Sequence, residues 1–597
     1  MCGIFGYFDR GGASLPAEAL AAMGNAIRHR GPDDQGIFSA VGVALGNRRL
    51  SIIDVEGGHQ PFCSDDGNIV VVQNGEIFNY VELADELAKS GFPCRTQSDT
   101  EVLLRLYERE GVGFVSRLNG MFAIAIFDRR QDALYLIRDR AGVKPLYVHD
   151  DGSRVIFGSE IKAILAAGVE RRVDYSALHR FLSFNFVPPP YTAFAGVRHV
   201  RPGHWLRMAR SAGSELVQWW DLAHVRPRIR PEAQWADEFN VILDDAVRIR
   251  LRADVPFGAF LSGGVDSSMV VGLMARHMDR PVKTFSIGFH DPRYDESAFA
   301  QEAAERFHTE HTVEYVDTNM LDLWPMVTYQ CDQPHGDVSF MPTLKVAELA
   351  ARQVKMVLTG DGGDELFAGY DKYRAFFGPE TEALDGEAFL RAYYRNISLF
   401  DDAAKGLLYT PEFSSEVAGC DPFDQVRVLG EQVEHFDRIN QMLFIDMNLL
   451  LAGNNIVKPD RMGMAASIEA RTPFLDYRMM EYAFSMPGDL KLRDGVTKYL
   501  FKKAAAPLIG ERLAYREKRM FTVPIGEWLR QGLAAKFTEL LLHKDAMTRH
   551  IFRPDRLARM LEEHASGRKN FTRELRACVA LELWFRSFFH EADGFMP

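Results

Sequence analysis

The chain has 597 residues, 47% hydrophobic and 25% charged, with 70 basic and 82 acidic side chains and a net charge of −12; at roughly 150 residues per domain this predicts two to four globular domains, and the acidic balance excludes a general nucleic-acid binder. Six scattered cysteines with no CxxC pair (Cys2, Cys63, Cys94, Cys331, Cys420 and Cys578) argue against a zinc site, a redox dithiol or a disulfide framework, and for free thiols in a reducing cytosol. MCGIFGYFDR lacks the pattern of a signal peptide and no stretch approaches the ~20 apolar residues of a membrane span, so a cytoplasmic enzyme acting on small molecules, without membrane or nucleic-acid partners, is the expectation.

In chain order, strand-like runs are predicted at 69–79, 121–128, 133–139 and 154–160, with helices at 80–90 and 99–110 between the first two. Most of these strands follow one another by tight turns, which predicts an α+β region of antiparallel sheets with helices packed on them. Residues 187–203 are rich in Pro and Gly, and the Trp219–Trp220 pair follows a polar stretch. We divide the chain into 1–210, a linker at 211–235, and 236–597. An amphipathic helix at 236–252 then leads to strands at 255–261, 283–289, 311–316 and 354–360, separated by helices. That alternation predicts βαβ units and a parallel α/β sheet. From about 370 onward the pattern is mostly helical.

Cys2 directly follows Met1. Removing Met1 would leave a thiol and a free α-amine on one residue. The amine has a reference pKa of about 7.7–8.0, so nucleophile and base come together without a histidine. Six of 597 residues are cysteine, so chance places one at position 2 about once in a hundred chains. The context is what raises the signal: Cys2-Gly3-Ile4-Phe5-Gly6, His29-Arg30-Gly31-Pro32-Asp33-Asp34, Arg49-Leu50-Ser51-Ile52-Ile53-Asp54, Asn74-Gly75-Glu76-Ile77-Phe78-Asn79 and Ser98-Asp99-Thr100-Glu101 occur in that order. Together they resemble the glutaminase domain of class II glutamine amidotransferases, the N-terminal-nucleophile type, over about the first 200 residues. The resemblance implies that Arg49 takes the glutamine carboxylate, that Asp99 and Glu76 take its ammonium, that Ile53 lies beside it, and that Asn74 with the Gly75 N–H forms the oxyanion hole. Alone, Arg49 would read as a salt-bridge arginine and Asn74-Gly75 as a hairpin turn. Arg30 and Arg138 read as structural, and His29 as a packed histidine rather than a base.

Ser262-Gly263-Gly264-Val265-Asp266-Ser267-Ser268 sits between a predicted strand and a helix. Glycines, hydroxyls and a helix N-terminus make an anion cradle, and the Walker pattern GxxxxGK[ST] is absent. The motif is similar to the pyrophosphate loop of enzymes that cleave ATP between its α and β phosphates. A second loop, Thr359-Gly360-Asp361-Gly362-Gly363-Asp364-Glu365, follows a later strand. Asp266 and Asp364 are the candidate Mg²⁺ ligands. The resemblance puts Leu261, Ile287, Thr359 and Gly360 with Ser262, Gly263, Gly264 and Ser267 around ATP, and Lys498 at the α-phosphate. Glu469-Ala470-Arg471-Thr472-Pro473-Phe474-Leu475-Asp476 is a further shared signature, read as shaping the acceptor side.

A class II glutaminase followed by this ATP site resembles the glutamine-hydrolysing asparagine synthetase family over almost the whole chain. That implies amidation of aspartate through β-aspartyl-AMP, an internal ammonia tunnel to which 121–127 contributes, and compatibility with a homodimer. Where well-known members carry a glutamate as base or positioning group, this chain has Asp361, one methylene shorter. Members with that aspartate include enzymes acting on sugar acids or secondary metabolites. Another carboxylate acceptor is therefore the alternative. A catalytically silent homologue fits less well, because Cys2, Arg49, Asp99, SGGVDSS and Lys498 are all intact. A β-lactam synthetase fits poorly, because that group lacks a working N-terminal cysteine.

Overall fold

A computed structural model describes residues 2–211, 213–517, 525–528 and 533–590. In chain order its main strands are β1 (Cys2–Asp9), β2 (Asp34–Ala40), β3 (Val43–Arg49), β4 (Phe62–Cys63), β5 (Ile69–Ile77), β6 (Gly120–Asp128), β7 (Ala133–Arg138), β8 (Tyr147–Asp150), β9 (Arg154–Gly158), β10 (Val197–His199), β11 (His204–Ala209), β12 (Gly213–Gln218), β13 (Phe257–Phe260), β14 (Lys283–Phe289), β15 (Glu310–Val316), β16 (Met356–Leu358) and β17 (Glu469–Arg471). The first twelve form two six-stranded sheets, ordered β10-β8-β9-β1-β3-β2 and β12-β11-β7-β6-β5-β4. Their pairings are antiparallel; β2–β3, β6–β7, β8–β9 and β11–β12 are joined by tight turns, whereas two helices intervene between β5 and β6.

The two sheets stack face to face. Ile4, Phe8, Val43 and Leu45 of the first interleave with Val70, Val72, Ala123, Ala125, Leu134 and Leu136 of the second, all at most 1% exposed. Helices Tyr80–Lys89 and Asp99–Glu110 cover the outer face of the second sheet. Helices Ala17–Ala26 and Ile161–Ala166 cover the first. β5 is thus buried on both faces, which is why it reads as a continuous apolar run rather than an alternation.

β13–β17 form a parallel sheet ordered β15-β14-β13-β16-β17. Chain order reverses between β13 and β16, and an open α/β sheet binds its ligand at that switch point. SGGVDSS follows β13, and TGDGGDE follows β16. β17 has no counterpart in the sequence reading. It is three residues long with two charges, Glu469 and Arg471, and both are fully buried and paired with each other.

Residues 211–235, read as a linker, hold more structure than expected. β12 closes the edge of the second sheet in a hairpin with β11, and helix Glu232–Arg250 has already begun. β12 looked like linker because an uncovered edge strand exposes most of its side chains. The connection between β12 and that helix, 219–231, holds a single 3-10 turn at Leu222–His224.

Beyond β16 the chain is mainly helical, as expected. The two halves share two apolar clusters; to one of them the first half contributes, among others, Leu50, Ile52, Ile53, Phe78 and Met121. Buried polar links add to them. Arg30 bonds Asp460 at 2.9 and 3.1 Å, and Asn119 Nδ2 donates to Asp476 Oδ2 at 2.9 Å. None of the six cysteines is in a disulfide. Among the described residues no helix is long and apolar enough to cross a membrane.

Candidate active sites

β1 and β3 pair in the register Cys2↔Arg49, so the first residue of one strand lies beside the last of its neighbour. β5, from the facing sheet, brings Asn74, Gly75 and Glu76 to the same end. The Cys2 backbone nitrogen is 3.3 Å from Asn74 Oδ1. Asn74 Nδ2 donates to Ser159 Oγ at 3.3 Å, and that oxygen also accepts from Ile4 N–H at 2.9 Å. Asn74-Gly75 lies inside a strand, not at a turn. Gly75 has φ +145°, and a Cβ there would fall 2.0 Å from the Met121 carbonyl oxygen. Only glycine lets β6 pass so close.

Arg49 donates to the carbonyls of Ile53 (3.0 Å), Asp54 (2.7 Å) and Val55 (3.1 Å). Three of its five N–H donors are thereby used, and two remain for a ligand carboxylate. Ile53 reaches the site through this carbonyl, while its side chain is 6% exposed in the interface cluster. Asp99 opens its helix, and its Oδ2 accepts from Gln73 Nε2 and Ile77 N–H, both at 3.0 Å. Glu76 is buried. Its Oε1 is 3.7 Å from Arg471 Nη2, and its Oε2 has no hydrogen-bond partner. Burial raises both carboxyls, and Glu469 and Asp99 push Glu76 higher still. A buried carboxylate oxygen without a donor suits a ligand ammonium. Burial also pushes the Cys2 thiol up, against the smaller pull of the Leu50 N–H and Arg49, so the resting group is the thiol and its attack needs a base.

Of the residues read as structural, Arg30 pairs with Glu160 and Asp460, both at 2.9 Å. Arg138 donates to the carbonyls of Gly142, Lys144 and Val200 at 2.8–2.9 Å. His29 differs from a packed histidine: it is one-fifth exposed, with Nε2 3.2 Å from Glu160 Oε1.

In the second half, Ser262 and Ser267 lie with hydroxyls 3.1 Å apart, and Ser267 Oγ donates to the Gly264 carbonyl at 3.3 Å. The loop is thus tied across itself at the positive end of helix Val265–His277. Leu261 N–H donates to Phe285 O at 3.0 Å, which sets Leu261 against β14, where Ile287 lies two residues further on. Thr359 N–H donates to Arg471 O at 2.8 Å and leads into Gly360. Lys498, in the left-handed region at φ +52°, caps helix Tyr499–Ile509 and is buried. Its Nζ is 2.5 and 2.6 Å from the two Asp266 oxygens and 2.6 Å from Asp364 Oδ1. Burial opposes that charge, yet the two carboxylates raise the lysine above its ordinary value. Two carboxylates on adjacent loops suit a Mg²⁺ that draws its other ligands from phosphate and water. Among the described residues there is no cluster of three or more protein metal ligands.

Gly369, which the sequence reading passed over, is what lets these groups meet. A Cβ there would fall 2.0 Å from Asp364 Oδ1 and 2.2 Å from Lys498 Cε. Gly369→Ala is expected to lower ATP-dependent pyrophosphate release by roughly tenfold or more, since a displacement of about 1 Å can cost about a hundredfold, while glutamine hydrolysis stays near wild type. Parallel assays of glutamate and pyrophosphate check this.

Asp361 lies among charges. Burial raises its carboxyl; Lys458 pulls it down, and Asp266 and Asp364 push it up. Lys458 Nζ donates to Ser339 Oγ at 3.0 Å and is 3.8 Å from Asp337 Oδ2. Asp337 also accepts from Asn454 Nδ2 at 3.0 Å; burial opposes its ionisation, but Lys458 and these donors bring it down to about 2. Glu365 accepts from Tyr370 OH at 2.7 Å and from Asn455 Nδ2 at 2.5 Å. Arg576, on helix Thr572–Phe589, acts electrostatically on Asp337; burial lowers its pKa, and its buried Nε makes no hydrogen bond. Sequence reading missed Lys458, Asp337 and Arg576. A signal existed at Lys458-Pro459-Asp460-Arg461, a charged run inside a mostly buried helix, where charges seldom sit without partners.

The family model described as asparagine synthase matches residues 238–586, and that described as glutamine amidotransferase domain matches 1–220. The chain is 32% identical to asparagine synthetase [glutamine-hydrolyzing] 1 of Bacillus subtilis (strain 168), over 98% of this chain and 96% of that one. It is 31% identical to a putative asparagine synthetase [glutamine-hydrolyzing] of Mycobacterium tuberculosis (strain H37Rv), over 98% and 97%. It is 30% identical to amidase chry2 of Gibberella zeae, over 91% and 92%. With a family model covering more than half of its length and full-length relatives on both sides of the junction, the chain belongs to the asparagine synthase family.

Proposed function

We propose that this chain hydrolyses glutamine at Cys2 and uses ATP to transfer the ammonia to a carboxylate, with aspartate as the acceptor. The observation that carries the acceptor reading is the chain of charges leading from Asp361: Lys458 pulls on Asp361 and lies 3.8 Å from Asp337, and Arg576 interacts electrostatically with Asp337. A zwitterionic acceptor with a second carboxylate can engage both the basic and the acidic members of this chain; a hydroxy acid without an ammonium engages only the basic ones.

In the first half-reaction the Cys2 sulfur attacks the glutamine amide carbon. The α-amine exposed by loss of Met1 takes the thiol proton and passes it to the departing ammonia. Asn74 and the Gly75 N–H receive the oxyanion, Arg49 the α-carboxylate, and Asp99 with Glu76 the α-ammonium. Water then cleaves the thioester to glutamate. In the second half-reaction the aspartate β-carboxylate attacks the α-phosphorus of ATP. The bond to the β-phosphate breaks, and pyrophosphate leaves the SGGVDSS loop. Mg²⁺, held by Asp266 and Asp364, would neutralise phosphate charge. Lys498 moves from these carboxylates to the α-phosphate. Ammonia attacks the acyl-adenylate, Asp361 accepts a proton, and AMP leaves. Burial suits Asp361 to this, since its raised pKa brings it nearer to the group it deprotonates. Met121 alone of β6 joins an apolar cluster spanning both halves, which supports it as the part of 121–127 nearest the ammonia path.

The shorter side chain of Asp361 favours a second reading, an acceptor other than aspartate. Pyrophosphate release with glutamine, Mg²⁺, ATP and a panel of carboxylates separates the two. Aspartate is expected to give the largest kcat/KM; background release with aspartate alongside turnover of another acid would replace the first reading by the second.

A further inference from the structure

The shared segment 469–476 does more than shape the acceptor side. β17 ends with Arg471, and the next residue is Thr472. Arg471 is fully buried. Its Nη1 donates to the carbonyls of Arg250 (2.8 Å) and Arg252 (2.7 Å), and its Nε to Glu469. Four groups therefore hold the guanidinium in place, once the Phe78 ring 5.5 Å away is counted. The remaining Nη2 points out of the synthetase half to Glu76 Oε1, 3.7 Å away in the glutaminase half. Glu76 has no other cation as near among the described ion pairs, and three carboxyls, Glu76, Asp99 and Glu469, crowd this one guanidinium. Thr472 points the other way. Its Oγ1 donates to the Asp361 carbonyl at 2.6 Å, while the Arg471 carbonyl receives Thr359 N–H at 2.8 Å.

We propose that Arg471 is a positioning residue of the glutamine site supplied by the synthetase half, and that the Arg471–Thr472 pair couples the two reactions by fixing Glu76 on one side and the Thr359–Asp361 loop on the other. This rests on the amidotransferase reading above. Glu76 meets the glutamine ammonium with the orientation that Arg471 sets. A shift of the acceptor loop moves Thr472 and, one peptide unit away, the guanidinium that Glu76 faces. Glutamine affinity thereby depends on the state of the acceptor loop, and by linkage the loop depends on glutamine.

The test uses the full-length enzyme and three assays: glutamate release, glutamine-dependent AMP formation, and AMP formation with ammonium chloride. Arg471→Met is expected to raise KM for glutamine roughly tenfold or more, leave ammonium-dependent kcat within about threefold, and raise the ratio of glutamate to AMP. Arg471→Lys keeps the charge and should recover part of the KM. Glu76→Gln should raise KM alone, and adding Arg471→Met to it should cost less than the product of the single effects, because both remove one pairing. Thr472→Val keeps the guanidinium and should raise the glutamate-to-AMP ratio with KM for glutamine unchanged. This variant still tests the coupling if Arg471→Met does not fold, as judged by circular dichroism. An unchanged KM in Arg471→Met, a multiplicative double variant, or a wild-type ratio in Thr472→Val each overturns the proposal. Absence of glutamate release by the wild-type enzyme would instead overturn the underlying reading.

Discussion

Cys2→Ala is expected to abolish glutamine-dependent amide formation, by at least ~10³-fold, while ammonium-dependent formation proceeds at close to the wild-type rate. The substitution removes one sulfur from a residue that is 6% exposed at the start of a strand held on both sides by β3 and β9. Loss of that packing costs about 1–2 kcal/mol, too little to unfold a domain of this size. Lys498, Asp266 and Asp364 lie in the other half, around a different sheet. Loss of both activities together would mean that Cys2 is structural. The pH dependence follows from the same geometry. Burial raises the thiol, so no thiolate reservoir exists to sustain attack at low pH. In the proposed mechanism the base is the α-amine, active only when unprotonated. Glutamine hydrolysis should therefore fall as pH drops through the amine pKa, with a reference near 7.7–8.0, by about tenfold per unit below it. A chain retaining Met1, verified by mass spectrometry, keeps the thiol but lacks that amine and should be as inactive toward glutamine as Cys2→Ala.

The glutaminase half was the more legible in sequence, for a physical reason. Its chemistry requires particular residue types on a few consecutive strands: a thiol at the first residue, an arginine at the end of β3, Asn-Gly-Glu within β5. The motif order, rather than strand adjacency, made the site legible: Cys2 and Arg49 meet across β1 and β3, and Asn74-Gly75-Glu76 comes from the facing sheet. Strand limits followed the apolar runs closely, as at 283–289, where the predicted and observed strand coincide. What sequence hid came from burial and distance. β12 is polar because its outer edge is uncovered, and β17 is charged because its two ions pair with each other and Arg471 also faces Glu76 of the first half. Neither obeys the apolar periodicity on which strand prediction rests. The linked charges proposed to meet the acceptor, Asp337, Asp361, Lys458 and Arg576, come from four separate segments. No local pattern links them, and only the packed fold reveals that their charges alternate.

Lys498→Ala is expected to remove both glutamine-dependent and ammonium-dependent amide formation while leaving glutamine hydrolysis intact, the converse of the Cys2 result. The lysine is the cation nearest Asp266 and Asp364, and it is buried, so its charge acts in a low-dielectric site. A preorganised charge of that kind contributes about 3–4 kcal/mol to a transition state in which negative charge builds on phosphate, equivalent to roughly 10²–10³ in rate. Without nucleotide, Lys498 occupies the same carboxylates that Mg²⁺ would take. The two cations therefore compete, and removing one should strengthen the other. Calorimetric titration of Mg²⁺ into nucleotide-free Lys498→Ala should show tighter binding than into wild type, although the variant cannot form the adenylate. Lys498→Arg offers a finer discrimination. Guanidinium keeps the charge but is planar and larger than ammonium, and Gly369 leaves no spare room, since even a Cβ there would come 2.2 Å from Lys498 Cε. Charge alone would make Lys498→Arg nearly wild type in pyrophosphate release. A point cation in a confined site predicts instead a loss of tenfold or more, roughly, with Mg²⁺ affinity little changed.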